Sequence, residues 1–203
     1  MFFLNYSTII DPLLKDIRLY TPEFSGMKTG DSVLDVCCGT GEQVFHYVKT
    51  GIIASGIDLD PGMLAIAERN KIRQGISDIS FRLADAVAIP FENDSFDFAS
   101  ICFGLHDKKR EARDRVIAEM KRVVKRQGSL IFIDFQVPLP NNLYGYLAKS
   151  IEFIVGGTHY EGFRDYLKQG GLDEILTKHH LVEEKRNYLK SGLIVMIKAK
   201  NTI

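Results

Sequence analysis

The sequence has little that would mark a secreted, membrane-spanning or nucleic-acid-binding protein. Its three cysteines are an odd number with no obvious disulfide framework, which fits a reducing compartment. Lysine plus arginine and aspartate plus glutamate each total 26, so no net field favours nucleic acid or an anionic membrane surface. No apolar run approaches the length of a membrane span, and the first residues lack the features of a signal peptide. These absences predict a cytoplasmic protein without stable membrane insertion and without a nucleic-acid partner.

What the chain does contain is enough apolar material for one globular domain. It has 203 residues, of which 45% are hydrophobic, and a chain of that length can bury a substantial core. No internal repeat, low-complexity stretch or linker divides it. We therefore expect a single domain over residues 1–203, acting as a monomer or a homodimer.

Apolar, β-branched runs alternate with stretches of helical spacing through the first two thirds of the chain. The predicted strands cover residues 32–37, 52–58, 79–84, 96–103 and 128–135, and the predicted helices cover 42–50, 61–74 and 109–126. This alternation favours a parallel, doubly wound sheet, because right-handed crossovers place helices on both of its faces.

The last third of the sequence changes character. Helices are predicted at 141–155, 160–169 and 172–179. Two further strands, 180–188 and 192–200, are joined by so short a turn that only an antiparallel hairpin is possible. The predicted fold class is therefore α/β. It is a Rossmann-like, mostly parallel seven-stranded sheet with a C-terminal antiparallel hairpin and a helical insertion before it.

Two glycines follow the first predicted strand, in the segment VLDVCCGTGE at residues 33–42. Glycine fits a sharp turn where a ligand must lie against the main chain. The N–H groups that open the next helix then point at whatever lies over the turn. A lone G-x-G also occurs in other nucleotide folds and in incidental turns, so this segment alone leaves those alternatives open.

Acidic residues follow the next two strands. Asp58 ends the second strand, where a carboxylate can accept both hydroxyls of a ribose. Its alternative role is a helix cap, which Asp60 fits better because it directly precedes Pro61. Asp85, followed by Ala86, ends the third strand, where a carboxylate can accept a hydrogen bond from the amine of adenine. Ligands of open α/β sheets bind at these carboxyl ends, so the pattern predicts a nucleotide-like ligand.

Four segments in order carry a family resemblance: VLDVCCGTGE, GIDLDPGML, LADAVAIPFENDSFDFAS and VVKRQGSLIFIDF, with FGL at residues 103–105. Together they resemble class I S-adenosylmethionine-dependent methyltransferases of the ubiquinone/menaquinone type (methyltransferase domain type 11). The resemblance implies methyl transfer from S-adenosylmethionine to a small-molecule acceptor that is aromatic, quinone-like or lipophilic, with S-adenosylhomocysteine as product. Two residues depart from the pattern: Cys37 replaces a common glycine, and His106 replaces the arginine that follows FGL in the quinone enzymes.

The resemblance also implies which residues hold the cofactor. Thr40 and the glycine backbone would hold the methionine end, Asp58 the ribose, and Asp85 the adenine. The full set of implied cofactor-binding residues is Asp35, Cys37, Gly39, Thr40, Gly41, Asp58, Leu59, Met63, Asp85, Ala86 and Cys102. The chain then divides into an N-terminal helical lid (1–30), a cofactor-binding core (31–136), substrate-covering helices (137–180) and the terminal hairpin (181–203).

Two histidines are candidates for a general base. His106 follows the fourth strand and is expected to overhang the sulfonium methyl, and an ordinary histidine pKa near 6.5 suits proton transfer at neutral pH. The alternative is a polar loop residue at the rim of the site. His159 lies beside Tyr160 in a glycine-flexed segment among the substrate-covering helices. Tyr6, Tyr20 and Tyr160 are predicted to contact substrate or to close over the cofactor.

The remaining candidates have simpler interpretations. Cys37 and Cys38 are predicted to pack structurally, because no further ligand has suitable spacing, and we expect no metal site. The mixed charges of residues 108–126 are typical of a solvated helix face rather than a nucleic-acid patch. His179 and His180 are predicted at the surface. An apolar stripe is predicted to be core, with a lipophilic pocket as the alternative; it comprises Leu143, Leu147, Ile151 and Ile154.

Two other functions compete with methyl transfer. An NAD-dependent oxidoreductase would use the same type of turn, but its G-x-G-x-x-G pattern needs a glycine where this chain has Val44. A non-catalytic S-adenosylmethionine-binding partner subunit is the second, since the sequence defines the cofactor residues better than the acceptor residues.

Overall fold

The computed structural model describes the backbone of residues 6–202 and the side chains of residues 14–202. Helices and strands follow one another in the order α1 (Tyr6–Ser25), β1 (Ser32–Val36), α2 (Glu42–Lys49), β2 (Ile53–Asp58), α3 (Pro61–Gln74), β3 (Ser80–Leu83), β4 (Phe96–Cys102), α4 (Arg110–Val123), β5 (Val124–Phe135), α5 (Leu143–Val155), α6 (Gly157–Gln169), α7 (Gly171–Lys178), β6 (Val182–Leu189) and β7 (Ile194–Lys200). The sheet has the strand order β3-β2-β1-β4-β5-β7-β6. The predicted α/β fold with seven strands and a terminal hairpin is confirmed.

The chain divides into two compact units, one ending at Asp85 and the other beginning at Ala86. In the first unit, β1, β2 and β3 are parallel, with Val36 opposite Ile57 and Asp58 opposite Leu83. The carboxyl ends of these three strands therefore lie side by side. Helix α1 packs on α2, where Gln43 Nε2 donates to the carbonyl oxygen of Arg18 at 3.3 Å.

Helix α3 shows how local sequence sets an element's ends. Asp60 is its N-cap, and Asp60 Oδ1 accepts hydrogen bonds from the N–H groups of Gly62 at 2.7 Å and Met63 at 3.3 Å. Pro61 opens the helix, and Gly75 closes it with a φ of 65°, a conformation that glycine adopts without strain. Both predicted boundaries are confirmed.

In the second unit, a buried strand is paired on both sides. The last seven residues of β5 are buried or nearly so, and β5 pairs in parallel with β4 and antiparallel with β7. The hairpin of β6 and β7 is antiparallel, as predicted. Charged side chains cover much of β6, which lies at the end of the strand order and is thereby protected from pairing with another chain.

The predicted C-terminal end of the helix at residues 109–126, which is α4 in the structure, is wrong. Helix α4 stops at Val123 rather than residue 126, because Val124 is extended and pairs with Phe96 on β4. Lys125 Nζ then binds Asp97 Oδ1 at 2.8 Å, so basic residues that suit a helix surface lie on a strand. The charged residues of this helix were predicted to form a solvated face, but one of them, Arg113, is buried at 4% exposure.

The apolar stripe on α5 does not lie in the core, which contradicts the prediction. Leu143 and Ile154 are 69% and 71% exposed, and its other two members, Leu147 and Ile151, are also exposed. The buried positions of α5 are Gly145, Ala148 and Glu152, so a face of small residues with one acid is turned inward. No helix in the described part of the chain is both long and apolar enough to cross a bilayer.

Candidate active site

The glycine turn, residues 37–41, connects β1 to α2 in the first unit. Cys37, Gly39 and Gly41 have φ values of 59°, 53° and 78°, and such left-handed conformations favour glycine. Gly41 is the N-cap of α2 and, having no side chain, does not cap the N–H groups that open this helix. N–H groups at a helix start can bind a ligand, and the dipole of the helix favours negative charge at this end.

Asp58 holds the glycine turn from the end of β2. Asp58 Oδ2 accepts a hydrogen bond from the Gly39 N–H at 2.7 Å, and Asp58 Oδ1 accepts one from the Asp60 N–H at 2.9 Å. Each carboxylate oxygen has a second lone pair. The carboxylate is therefore fixed beside the turn and can still accept hydrogen bonds from a ligand.

The other predicted cofactor residues of the first unit differ in exposure. Asp35 and Thr40 are buried, at 3% and 1% exposure, whereas Leu59 is 65% exposed. Met63 is half-buried. Asp85 is exposed, and the hydrogen bond from the Ala84 N–H to the Asp58 carbonyl oxygen, 3.0 Å long, keeps it at the same end of the strands as Asp58.

Cys38 has the packing role that the sequence predicts. It is 8% exposed. Burial raises the pKa of its thiol, and the negative charges of Asp35 and Asp58 raise it further. The thiol therefore stays protonated and is a poor metal ligand.

In the second unit, four side chains meet in what we call the histidine cluster: His106, Asp134, Glu152 and His159. His106 lies in the turn after β4, Asp134 on β5, Glu152 on α5 and His159 near the start of α6. His106 Nδ1 is 2.7 Å from Asp134 Oδ1, and His106 Nε2 is 3.8 Å from Glu152 Oε1. His159 Nε2 is 2.6 Å from Glu152 Oε2. The structure thus brings the two predicted histidines together.

Asp134 is held firmly and in turn orients His106. Its Oδ2 accepts from the N–H groups of Leu105 and His106, both at 3.3 Å, and its Oδ1 accepts from the Phe135 N–H at 2.8 Å. A proton on His106 Nδ1 fits this arrangement, since an ionised carboxylate only accepts hydrogen bonds. Nε2 then faces Glu152.

His106 is surrounded by aromatic rings and carboxylates. The ring centroids of Phe103 and Phe135 lie 5.7 Å and 4.9 Å from that of the imidazole. Burial lowers the pKa of His106, but the charge and hydrogen bond of Asp134, with the charge of Glu152, outweigh burial, so the pKa is raised. At 4% exposure, His106 is not the polar residue at the rim that the alternative interpretation expected.

Helix α6 reaches the cluster because of a glycine. A Cβ at Gly162 would collide with the carbonyl oxygen of Asp107, so only glycine lets the helix backbone lie against the turn that carries His106. The same approach places His159 Nδ1 3.7 Å from Asp107 Oδ2. Close packing of α6 on this turn therefore sets the distance between the histidines.

The remaining predicted residues lie outside the cluster's hydrogen bonds. Tyr160 packs against Phe153 at 5.4 Å between ring centroids. Ala86 is buried and Cys102 half-buried. Tyr20 lies 5.9 Å from Phe24 between ring centroids, whereas the side chain of Tyr6 lies outside the described residues.

Two residues of the cluster are missing from the sequence predictions. Asp134 is a lone acid in the apolar run LIFIDF, and Glu152 is a lone acid in the apolar end of α5. A lone charged side chain in an otherwise apolar run is unfavourable to bury unless it is paired, which is the signal that could have identified both. The predicted surface location also fails for His179, which is half-buried and bound to Asp114 at 3.0 Å; His180 is exposed.

The seven-stranded order, which ends in an antiparallel hairpin, defines the class I S-adenosylmethionine-dependent methyltransferase fold. The chain belongs to the ubiE/COQ5 methyltransferase family, whose model matches residues 13–156. Two solved structures share the fold at low sequence identity. One is an S-adenosylmethionine-dependent methyltransferase from Aquifex aeolicus (TM-score 0.67, 18% identity, covering 90% of this chain and 88% of that one). The other is the PH0226 protein from Pyrococcus horikoshii (TM-score 0.71, 16% identity, covering 95% and 92%).

Curated relatives are more similar in sequence. The chain is 36% identical to the demethylmenaquinone methyltransferase of Bacillus velezensis over 130 residues, which are 61% of this chain and 54% of that protein. It is 30% identical over 152 residues to the enzyme of the same name from Alkalihalophilus pseudofirmus, covering 69% and 61%. It is 33% identical over 131 residues to the ubiquinone/menaquinone biosynthesis C-methyltransferase UbiE of Pseudomonas aeruginosa, covering 62% and 50%. The chain thus spans about half the length of the curated relatives it matches.

The family implies S-adenosylmethionine as cofactor, and the glycine turn fits it. The start of α2, whose N-cap is a glycine, suits the negative carboxylate of a methionine moiety. The fixed carboxylate of Asp58 suits hydroxyl donors such as those of a ribose. Exposed Leu59 and Asp85, at the same strand ends, are accessible to an adenine.

Proposed function

We propose that this protein transfers a methyl group from S-adenosylmethionine to a small organic acceptor that is aromatic, quinone-like or lipophilic. The observation that carries the proposal is the buried, aromatic-lined histidine cluster in a chain of this family. The relatives named above for quinone biosynthesis support a quinone-like acceptor. His106 stands where those enzymes are expected to have arginine, so the proposal names a class of acceptor rather than their substrate.

The first unit is proposed to bind the cofactor. Thr40 with the N–H groups of the turn would hold the methionine end, Asp58 the ribose, and Asp85 the adenine. When bound, S-adenosylmethionine supplies a methyl group on a positively charged sulfur, which an incoming lone pair can take without further activation. The chain's own task is then mainly to position the acceptor and to exclude water.

The histidine cluster is proposed to remove the acceptor's proton. With its Nδ1 proton held by Asp134, His106 can take a proton only at Nε2. Glu152, 3.8 Å from that nitrogen, would stabilise the imidazolium that forms. His159 is the second candidate, because it shares a hydrogen bond with the same carboxylate. A base is needed only if the acceptor must lose a proton, as a phenol or an enolisable carbon does.

The test is turnover on an identified acceptor. A panel of hydroxylated quinones and simple phenols would be screened for methyl transfer from labelled S-adenosylmethionine, with binding of S-adenosylhomocysteine measured by calorimetry. On the best acceptor, His106→Asn or His159→Asn should lower kcat by about 10²–10⁴-fold. His179→Asn, which alters a histidine paired with Asp114, is the control and should not change kcat. Near wild-type rates for both cluster variants would contradict the assignment of the base.

The competing functions give different outcomes in the same assays. A non-catalytic partner subunit would bind S-adenosylhomocysteine and would methylate acceptors only with a second chain. An oxidoreductase would bind NAD, but family membership and the antiparallel hairpin both count against it.

We further propose that residues 1–203 act as one methyltransferase domain in the cytoplasm, as a monomer or homodimer without a nucleic-acid partner. The neutral charge balance counts against a nucleic-acid partner, and the three free cysteines fit a reducing compartment. Sedimentation with and without double-stranded DNA would check the assembly and the partner. A single cooperative unfolding transition would check the domain, and two separate transitions would contradict it.

A further inference from the structure

Three side chains of the histidine cluster offer ligand atoms to one point in space. One nitrogen from each of His106 and His159 and one oxygen from Glu152 all lie within 4.8 Å of one another. We propose that these three residues bind a divalent transition-metal ion, and that the ion is Zn²⁺. Two imidazoles and one carboxylate form a donor set of the kind that zinc enzymes use, with the fourth position left to water or substrate.

The distances need only small adjustments to hold such an ion. Ligand atoms of a tetrahedral zinc site lie about 3.4 Å apart, given bonds of about 2.1 Å. His106 Nε2 is 3.8 Å from Glu152 Oε1, and His159 Nε2 is 2.6 Å from the other carboxylate oxygen, Oε2. The carboxylate therefore contacts each ring through a different oxygen and would have to rotate to present one oxygen to the ion. An ion would take the place of the proton that His159 and Glu152 share. Small rotations of the three side chains would then centre it.

His106 has the hydrogen-bond partner that a metal-bound histidine usually has, and a carboxylate also lies near the outer nitrogen of His159, at ion-pair distance. A metal-bound imidazole generally directs its other nitrogen to a carboxylate or a carbonyl, which fixes the orientation of the ring. His106 Nδ1 is 2.7 Å from Asp134 Oδ1, and His159 Nδ1 is 3.7 Å from Asp107 Oδ2. These second carboxylates form an observation independent of the three ligands, and they turn the remaining nitrogen of each ring toward Glu152.

The charges around the cluster also favour a divalent cation. Glu152, Asp134 and Asp107 place three carboxylates around two imidazoles. Lys108 contributes one positive charge, with Nζ 3.6 Å from Asp107 Oδ1. A divalent ion would balance the remaining negative charge. Glu152 and Asp134 are 7% and 1% exposed. Because water is largely excluded there, the attraction between the ion and these carboxylates is stronger than at the surface.

The expectation of no metal site came from the spacing around the cysteines. The three ligands proposed here match no sequence motif for metal binding, because they lie in the turn after β4, on α5 and on α6. A bound ion would occupy the lone pairs of both histidines, so neither histidine would then be the base. An acceptor hydroxyl or thiol at the open position would instead ionise on the metal and release its proton to water. This catalytic role rests on the proposed function, whereas binding of the ion does not.

The experiment uses the full chain after treatment with a chelator. Titration with Zn²⁺ by calorimetry should show one ion per chain, and Co²⁺ should give the intense visible absorption of a four-coordinate site. His159→Ala and Glu152→Gln should each weaken Zn²⁺ binding by at least about 10–100-fold. His159 is the safer change, because its side chain is 33% exposed and its loss is the less disruptive to folding.

His179→Ala is the matched control, because His179 is another half-buried histidine paired with an acid and should leave Zn²⁺ affinity unchanged. Circular dichroism would confirm that each variant is folded. Binding of no ion by the wild-type chain, or an equal loss of affinity in His179→Ala, would overturn the proposal. Zinc binding without methyl transfer would leave the site standing and count against the proposed function; methyl transfer that is unaffected by a chelator would overturn only the catalytic role.

Discussion

The glycine turn offers main-chain N–H groups to a ligand, whereas the histidine cluster offers side-chain atoms. The turn spans five consecutive residues and is held by one carboxylate that stays partly open to solvent. The cluster draws its members from four elements and buries three of the four. We therefore expect substitutions in the turn to change ligand binding through the backbone conformation and through Asp58. Substitutions around the cluster should act through its charges and through the packing of the helices that carry it.

The largest expected effect concerns the anchor of the turn. Asp58→Ala removes the carboxylate that accepts the Gly39 N–H and, in the proposal, the ribose hydroxyls. A hydrogen bond to a charged group contributes about 1.5–3 kcal/mol. Affinity for S-adenosylhomocysteine, measured by calorimetry, should therefore fall by about 10–150-fold or more, while Zn²⁺ binding should not change.

Asp60→Ala is the control for the anchor, because Asp60 also accepts backbone hydrogen bonds at the same edge. It caps α3, and losing a cap costs about 1 kcal/mol of stability. Its affinity for S-adenosylhomocysteine should stay that of the wild type. An equal loss of affinity in both variants would show that Asp58 has no special role.

The next effect concerns how α6 approaches the cluster. Replacing a helical glycine by alanine normally stabilises a helix, by up to about 1 kcal/mol. At Gly162 the added Cβ would collide with the Asp107 carbonyl, so Gly162→Ala should instead destabilise by about 1–3 kcal/mol and weaken Zn²⁺ binding. Thermal unfolding measures the first quantity. Glu161→Ala, an exposed neighbour, should change stability by no more than about 0.5 kcal/mol, and a stabilised Gly162→Ala would refute the packing argument.

A smaller effect concerns the chemical reactivity of Cys38, a buried side chain of the glycine turn. Because burial raises the pKa of Cys38, the folded protein holds less thiolate at pH 8 than the unfolded chain does. Thiolate is the form that reacts, so alkylation of Cys38 by iodoacetamide in the native protein should be at least about tenfold slower than in urea. Mass spectrometry of the peptide follows the rate; equal rates in both conditions would mean that the thiol is reactive in the fold.

The smallest effect lies outside both regions. Burial raises the pKa of Asp114, but hydrogen bonds from Lys178 and His179 lower it more, so the net pKa is below its usual value of 3.8. The resulting stability is present above that value and is lost as the pH falls through the folded pKa. Asp114→Asn should cost about 0–1 kcal/mol at pH 7 and nothing near pH 2. A difference that persists in acid would point to packing rather than charge.

The accuracy of the sequence predictions follows the range of the interactions that decide each feature. Asp60, Pro61 and Gly75 set both ends of α3 through contacts within a turn of chain, and the prediction was accurate there. The end of α4 was misplaced because pairing of Val124 with Phe96 across 28 residues outweighs helix propensity. The apolar stripe on α5 was misassigned because periodicity shows that a face is apolar but does not show what lies against it.

The sequence by itself determined the α/β order, the glycine turn and the family. All of these depend on residues near one another in the chain or on a run of motifs in order. Tertiary structure alone decided that His106 and His159 meet, that Asp134 and Glu152 join them, and that Gly162 lets α6 come close enough. Those contacts connect residues up to 55 positions apart through side-chain direction and helix packing, for which local sequence carries no periodic signal.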